Sequence, residues 1–135
     1  MATWTTERGL LSTAISTVFK VTGTGAYTYT EVDKDIPAEK NIPINQKKRF
    51  FRIELVGAEI SELTSGKVLG RYKAKVTLYF ISAIFDFEVY KSEVLAHLNI
   101  LLNTYNYNIV EQINFTIISD RQAECNFTLE VGLNS

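Results

Sequence analysis

The chain has 135 residues, of which 46% are hydrophobic and 21% are charged, and its formal net charge is −1. This size and composition predict one globular domain with a single core. The near-neutral charge argues against a dedicated nucleic-acid binder, whose footprint is usually basic. We expect no membrane span and no secretory signal, because neither an apolar run of about 20 residues nor a signal-peptide pattern is present. The single cysteine, Cys125, excludes an internal disulfide.

The charges are unevenly distributed along the chain. Residues 1–46 carry four basic and five acidic residues, residues 47–75 carry eight and three, and residues 76–135 carry two and seven. A protein with one basic and one acidic surface can dock head to tail on copies of itself. The alternative is that both groups form solvated faces that never meet, and the charge distribution leaves both interpretations open.

The first half of the chain predicts a helix, a strand and a long loop. Apolar residues at helical spacing predict a helix over residues 4–20, and the β-branched run after two glycines predicts a strand over residues 26–32. Residues 33–48 alternate charged side chains without an apolar period and contain both prolines. We therefore expect a long flexible loop there, and loops of this length are usually functional or disordered.

A long hairpin is predicted next, with arms over residues 49–63 and 68–82. A two-residue turn at Ser65-Gly66 places Phe51 opposite Phe80 and sorts apolar from polar side chains along the base of the hairpin. Beyond Gly57 apolar and charged side chains share a face, which predicts a β-bulge at that residue. Each arm of about 14 residues would span roughly 45 Å, so we expect the tip to project beyond the core.

The last third predicts a second helix and a closing hairpin. An apolar stripe that includes Leu95 and Tyr105 predicts the helix over residues 88–105, with Asp86 as a helix-start residue and Glu93 and His97 away from the stripe. The hairpin is predicted over residues 109–119 and 123–133. A three-residue loop would place Phe115 opposite Phe127.

This order of elements predicts an α+β fold. The simplest arrangement is one twisted antiparallel sheet with both helices on its apolar face, a two-layer sandwich formed by residues 1–135 as a single domain. The long loop and the projecting hairpin would extend from it.

Residue types that support catalysis or metal binding are not grouped in the sequence. The only histidine, His97, is expected at the surface or boundary of its helix, and no cluster of Cys and His provides metal ligands. Cys125 lies in the apolar phase of its strand and is interpreted as a core residue. We expect no enzymatic activity, no cofactor and no metal site.

The order of elements resembles that of the tail terminator proteins of long-tailed bacteriophages. The segments that carry the resemblance are TTERGLLSTAISTVF, RFFRIELVGAEI, GRYKAKVTLYFIS, KSEVLAHLNILLNTY and INFTII with ECNFTLEV. The resemblance implies a structural virion protein of the tail and neck, assembled in the host cytoplasm. Such a protein forms a homohexameric ring, caps the tail tube and contributes to the head–tail joint. The implied partners are further copies of the chain, the tail tube protein and the head-side connector protein, with no membrane.

A ring assigns roles to two groups of residues. The basic face of the long hairpin comprises Arg52, Arg71, Lys73 and Lys75. This face would either line the channel, where it contacts DNA transiently and without sequence preference, or pair with acidic residues of the next subunit. The acidic candidates are Glu111, Glu124 and Glu130. The assembly loop, expected to order on a neighbouring subunit, includes Asp33, Ile36, Pro37, Ile42, Pro43, Lys47 and Lys48.

Three alternatives remain at this point. The chain could be a tail-tube or head–tail adaptor subunit of the same kind of virion, which would form stacked tubes rather than closed rings. It could be a small-ligand-binding α+β protein, which would be a stable monomer or dimer with an apolar cavity. An enzyme of unrecognised type is the least supported, because it needs a buried cluster of titratable groups.

Overall fold

The structure is a computed structural model and describes residues 3–21, 27–31, 48–64, 67–81, 86–105 and 107–131. Its elements in chain order are α1 (Trp4–Val18), β1 (Lys20–Val21), β2 (Tyr27–Thr28), β3 (Thr30–Glu31), β4 (Lys48–Thr64), β5 (Lys67–Ile81), α2 (Phe87–Tyr105), β6 (Asn108–Ile109), β7 (Asn114–Ile117) and β8 (Gln122–Val131). Strands β1 and β2 form a small antiparallel pair. The other strands form one open sheet of six strands in the order β3-β4-β5-β8, with β6 and β7 both on the outer edge of β8.

The predicted α+β class is confirmed, but the sheet is mixed rather than purely antiparallel. Strand β3 pairs with β4 in parallel, with Thr30 opposite Phe50. The single strand predicted over residues 26–32 is therefore wrong, because β2 and β3 belong to different sheets. A parallel pair needs a connection of about a dozen or more residues, and residues 32–47 supply that length.

The long hairpin of β4 and β5 has the predicted faces in a different register. Phe51 pairs with Leu78 rather than with Phe80. The cause is two irregularities in β4: one directly before Gly57, as predicted, and a second one between Ile60 and Glu62. Because side chains alternate with a period of two, a total shift of two residues returns each side chain at the base to its predicted face.

The closing hairpin is shorter than predicted and is also shifted by two residues. Phe115 pairs with Cys125 rather than with Phe127, and the loop covers residues 118–121. A continuous strand over 109–119 is wrong, because β6 and β7 pair with separate parts of β8. Residues 110–113 lie between them opposite only two residues of β8, so the extra backbone interrupts the ladder.

The core lies between the two helices and one face of the sheet. Helix α1 contributes the buried Leu11, Ala14 and Ile15, and α2 contributes Tyr90, Val94, Leu98 and Leu101. These residues form one cluster with the alternate positions of the sheet that include Phe51, Ile53, Ala74, Val76, Leu78, Ala123, Cys125, Phe127 and Leu129. Both helices therefore cover the same face, as the two-layer prediction requires.

The apolar stripe predicted for α2 is wrong at Leu95 and Tyr105. Leu95 and Tyr105 are 42% and 39% exposed. The buried positions are instead centred on Val94, Leu98 and Leu101, and Leu95 and Tyr105 flank this narrower stripe.

Polar caps fix where both helices begin. The Thr3 side chain accepts a hydrogen bond from the Thr6 N–H at the start of α1. At the start of α2, the Asp86 carboxylate accepts hydrogen bonds from the N–H groups of Glu88 and Val89, which confirms the predicted role of Asp86. Neither helix combines the length and the apolar character that crossing a bilayer requires.

Candidate subunit-contact surface

The second face of the sheet carries neither of the two described helices, and we call it the open face. Side chains of a strand alternate between faces, and residues paired across a ladder share a face. The positions opposite to the core therefore define the open face. Among the described residues they include Phe50, Arg52, Glu54, Glu59, Arg71, Lys73, Lys75, Thr77, Tyr79, Ile81, Gln122, Glu124, Asn126, Thr128 and Glu130. Of these, Thr77, Tyr79, Ile81 and Thr128 are buried.

The open face brings together all seven residues that the sequence suggested for subunit or channel contacts. Arg52, Arg71, Lys73, Lys75, Glu124 and Glu130 lie there by strand alternation. The seventh, Glu111, joins them because the Thr128 hydroxyl donates a hydrogen bond to its carboxylate at 3.5 Å. The role of these residues stays a prediction, but they share one surface.

Several charges of this face pair within the chain. Arg71 Nη1 lies 3.0 Å from Glu130 Oε2, and Lys73 Nζ lies 3.3 Å from Glu59 Oε1. The pairing of Arg71 with Glu130 that a neighbouring subunit could provide is therefore already made by one chain. The Arg71 side chain is 52% exposed, so this pair contributes at most about 1 kcal/mol to stability.

Lys75 differs from these residues. Among the residues that the structure describes, no carboxylate oxygen lies within 4.0 Å of its amino group. It is half-buried on the central strand β5, with Glu54 opposite on β4 and Thr128 opposite on β8. An acidic group from outside the chain can therefore pair with Lys75 without breaking an ion pair between described residues.

The assembly-loop residues fall almost entirely outside the described part of the chain. Asp33, Ile36, Pro37, Ile42, Pro43 and Lys47 lie outside the described residues, and Lys48 is described as the first backbone position of β4. The positions on both sides of this segment are well defined by polar contacts, which the sequence did not predict.

A buried ionic cluster joins α2 to the strands on both sides of that segment. Arg49 Nε and Nη2 each donate to a different Glu93 carboxylate oxygen at 3.0 Å, and the Tyr29 hydroxyl donates to Glu93 Oε2 at 2.6 Å. The Arg49 guanidinium also stacks 3.8 Å from the centre of the Phe80 ring. The side chains of Arg49 and Glu93 are only 4% and 11% exposed. Burial, followed by the Glu93 charge, raises the pKa of Tyr29 well above its ordinary value.

Sequence reasoning missed this cluster, although one signal was present. Arg49 lies in the same alternation phase as Phe51 and Ile53, so a charged side chain was directed into the core face. Glu93 was predicted to lie away from the apolar stripe of α2. The two charges compensate each other only because β4 and α2 meet in the fold.

A second contact fixes the end of β3. Glu31 accepts hydrogen bonds from Arg8 and from the Ser12 hydroxyl, both on α1. Together with Tyr29 and Arg49, it anchors the chain just before and just after residues 32–47. The points where that segment leaves and rejoins the sheet are therefore fixed at the β3–β4 edge.

Metal-ligating side chains are not grouped in the part of the chain that the structure describes. The described residues include no group of three or more His, Cys, Asp or Glu side chains that could hold a metal ion. Cys125 is buried in the core, as predicted, and burial raises its pKa to about 12, so it is not a nucleophile at neutral pH. His97 is half-buried at the boundary of α2, with its ring 5.3 Å from that of Phe19.

No protein-family model matches the chain, and no curated protein matches its sequence.

Proposed function

We propose that the protein is a tail terminator of a long-tailed bacteriophage, a structural subunit that forms a homohexameric ring, caps the tail tube and contributes to the head–tail joint. The observation that supports this most is the open face. Its exposed and half-buried side chains are mostly charged, and the acidic and basic residues suggested for ring contacts all lie on it.

The arrangement of charge on the open face suits contact between copies of the chain. On the open face the basic side chains concentrate on β5, with Arg71, Lys73 and Lys75, and acidic side chains lie on both neighbouring strands, Glu54 and Glu59 on β4 and Glu124 and Glu130 on β8. A ring needs a heterologous contact, in which two different patches of the subunit complement each other. A neighbouring copy displaced across the strands would bring the acidic strand β8 against the basic strand β5, in which Lys75 lies.

The balance of charge favours this role over DNA binding. Among the side chains of the open face that the structure describes, four are basic and five are acidic, namely Glu54, Glu59, Glu111, Glu124 and Glu130. Sequence-independent DNA binding depends on an excess of basic side chains that neutralise phosphates. We therefore assign the open face to subunit contacts, with transient DNA contact in the channel as the weaker role.

Sedimentation velocity over a concentration and salt series tests the proposal. We expect assembly at low salt that is reduced at about 0.5 M salt, where charge contacts are screened within a few ångströms. Lys75→Gln should raise the concentration for half-assembly by several fold, because each subunit contact loses about 0.5–1 kcal/mol. The matched control is Lys20→Gln, which removes the same charge from an exposed residue of β1. The same concentration for half-assembly in the two variants, or a monomer under all conditions, would contradict the proposal.

A further inference from the structure

The surface of the helical layer that points away from the sheet is unusual in composition. We call it the outer helical surface and define it by the exposed residues of α1 and α2. They are Thr5, Thr6, Gly9, Leu10, Thr13, Ser16, Thr17, Glu88, Val89, Ser92, Leu95, Ala96, Asn99, Ile100, Asn103, Thr104 and Tyr105. On each helix these positions lie opposite to the buried stripe, and both helices cover the same sheet face. The two sets therefore form one continuous surface.

This surface is almost without charge. Over the full length of both helices, which the structure describes from end to end, the most exposed charges are Glu88 and Lys91, which pair with each other at 3.1 Å near the start of α2. The other three charged residues of the helices, Glu7, Arg8 and Glu93, are half-buried, and Arg8 binds Glu31 while Glu93 binds Arg49. The solvent-facing side of a surface helix usually carries charged residues, and 21% of this chain is charged.

The same surface exposes large apolar side chains. Leu10 is 56% exposed, Val89 62%, Leu95 42% and Ile100 49%. Single exposed apolar residues are normal on a protein surface. Their combination with a lack of charge is typical of the central part of a protein–protein interface.

We propose that the outer helical surface pairs with the same surface of a second copy of this chain about a two-fold axis. An uncharged surface is complementary to itself, because two-fold contact brings no like charges together. A charged partner would instead lose hydration without gaining a counter-charge. The charge pattern of the outer helical surface therefore favours a second copy of the same surface as its partner.

The area available agrees with a stable pair of moderate affinity. The helices have 15 and 19 residues, which corresponds to lengths of about 22 and 28 Å. Lying side by side at an axis separation of about 9 Å, they present a face of roughly 25 by 20 Å. The flat area of such a face is about 500 Å², so a symmetric pair would bury roughly 1,000 Å² in total, the lower end of specific interfaces.

This pairing is independent of the proposed ring contact, because the outer helical surface and the open face lie on opposite sides of the molecule. The two contacts also respond differently to salt. Contact through the open face is weakened by screening, whereas an apolar, uncharged contact is maintained or strengthened.

Native mass spectrometry supported by light scattering at about 0.5 M salt tests the pairing without ring contacts. The wild-type chain should show a two-copy mass at tens of micromolar, as expected for a dissociation constant of about 1–10 µM. Ala96→Glu places a charge in the middle of the surface and should weaken pairing at least tenfold. The matched control is Gln112→Glu, which adds the same charge at an exposed position outside the helices and should leave the two-copy mass unchanged.

A single-copy mass for the wild-type chain at about 100 µM would overturn the proposal, since a contact of this area should then be occupied. Equal pairing of Ala96→Glu and the wild type would also overturn it. A circular dichroism melt of Ala96→Glu establishes that the variant is folded, and Ile100→Lys on the same surface repeats the test at a second position. A failure of ring assembly appears only at low salt and is measured separately.

Discussion

The buried cluster around Glu93 gives the sharpest prediction for stability. Replacement of Glu93 by Gln keeps the shape of the side chain and one oxygen acceptor, but removes the negative charge. Arg49, whose side chain is 4% exposed, would then be a buried cation without its carboxylate. Removal of one partner from a buried ion pair typically costs 3–5 kcal/mol. We expect about 3 kcal/mol, the lower end, because the Gln oxygen, placed where Oε2 lies, still accepts two of the three hydrogen bonds.

This loss is large relative to the stability of the domain. A chain of this length has a total unfolding free energy of about 7–15 kcal/mol, so Glu93→Gln should remove a fifth or more of it. The thermal midpoint should fall by about 10 °C. Urea unfolding followed by circular dichroism measures the difference directly. The control is Arg71→Ala, which breaks an exposed ion pair and should cost no more than about 1 kcal/mol.

A double-mutant cycle distinguishes energetic coupling between Arg49 and Glu93 from a general loss of stability. Arg49→Met and Glu93→Gln each leave a buried group without its partner, whereas the double variant removes both charges. The double variant should therefore be less destabilised than the sum of the single variants by at least about 2 kcal/mol. Additivity within about 0.5 kcal/mol would contradict the predicted coupling, because the two side chains would then act independently.

Two further predictions concern single positions in the sheet. Burial raises the pKa of Cys125 to about 12, so the unfolded thiol ionises first and stability should decrease by up to about 1.4 kcal/mol per pH unit as pH rises above 9. The folded chain should accordingly resist thiol reagents at pH 8 and react after denaturation; rapid labelling of the native protein would contradict the buried position. Gly57→Ala should be neutral or stabilise the protein by up to about 1 kcal/mol. An added Cβ would meet Lys73 at an ordinary 3.6 Å without a left-handed backbone, so a loss above about 1 kcal/mol in urea unfolding would show that the bulge requires glycine.

Periodicity predicted the faces of the elements better than their pairing. The helical period located α1 and α2, and alternation assigned Phe51 and Leu78 to the core face although Phe51 was paired with the wrong partner. The register depends on each bulge between the turn and the base, and only the bulge at Gly57 carries a visible signal. Because two one-residue shifts restore the alternation, an error in register did not become an error in face.

Contacts between distant elements could not be predicted in the same way. The parallel pairing of β3 with β4 depends on where the chain returns after residues 32–47, and a strand of two residues has no period of its own. The Glu93 cluster joins residues separated by 44 and 64 positions. An apolar-phase arginine indicates that a buried partner exists, but the identity of that partner follows only from the packing of α2 on the sheet.

For the open face as well, the side-chain phases could be predicted from the sequence but the contacts between strands could not. Alternation along β5 and β8 placed Lys75 and Glu124 on the polar phase of their strands, so the charged character of the open face was predictable. The internal pairing of Arg71 with Glu130 was not, because the sequence did not show that β5 and β8 are neighbours. The low charge of the outer helical surface became visible only when both helices were found on one sheet face.

Native mass spectrometry of the Ala96→Glu variant at low salt tests the proposed function most directly, because that substitution blocks helical pairing and leaves the open face intact. We predict a closed ring of six copies of the 15.3 kDa chain, about 92 kDa, that dissociates as salt is raised. A monomer at every concentration and salt, or an open series of masses without a closed species, would contradict the assignment of this protein as a ring-forming tail terminator.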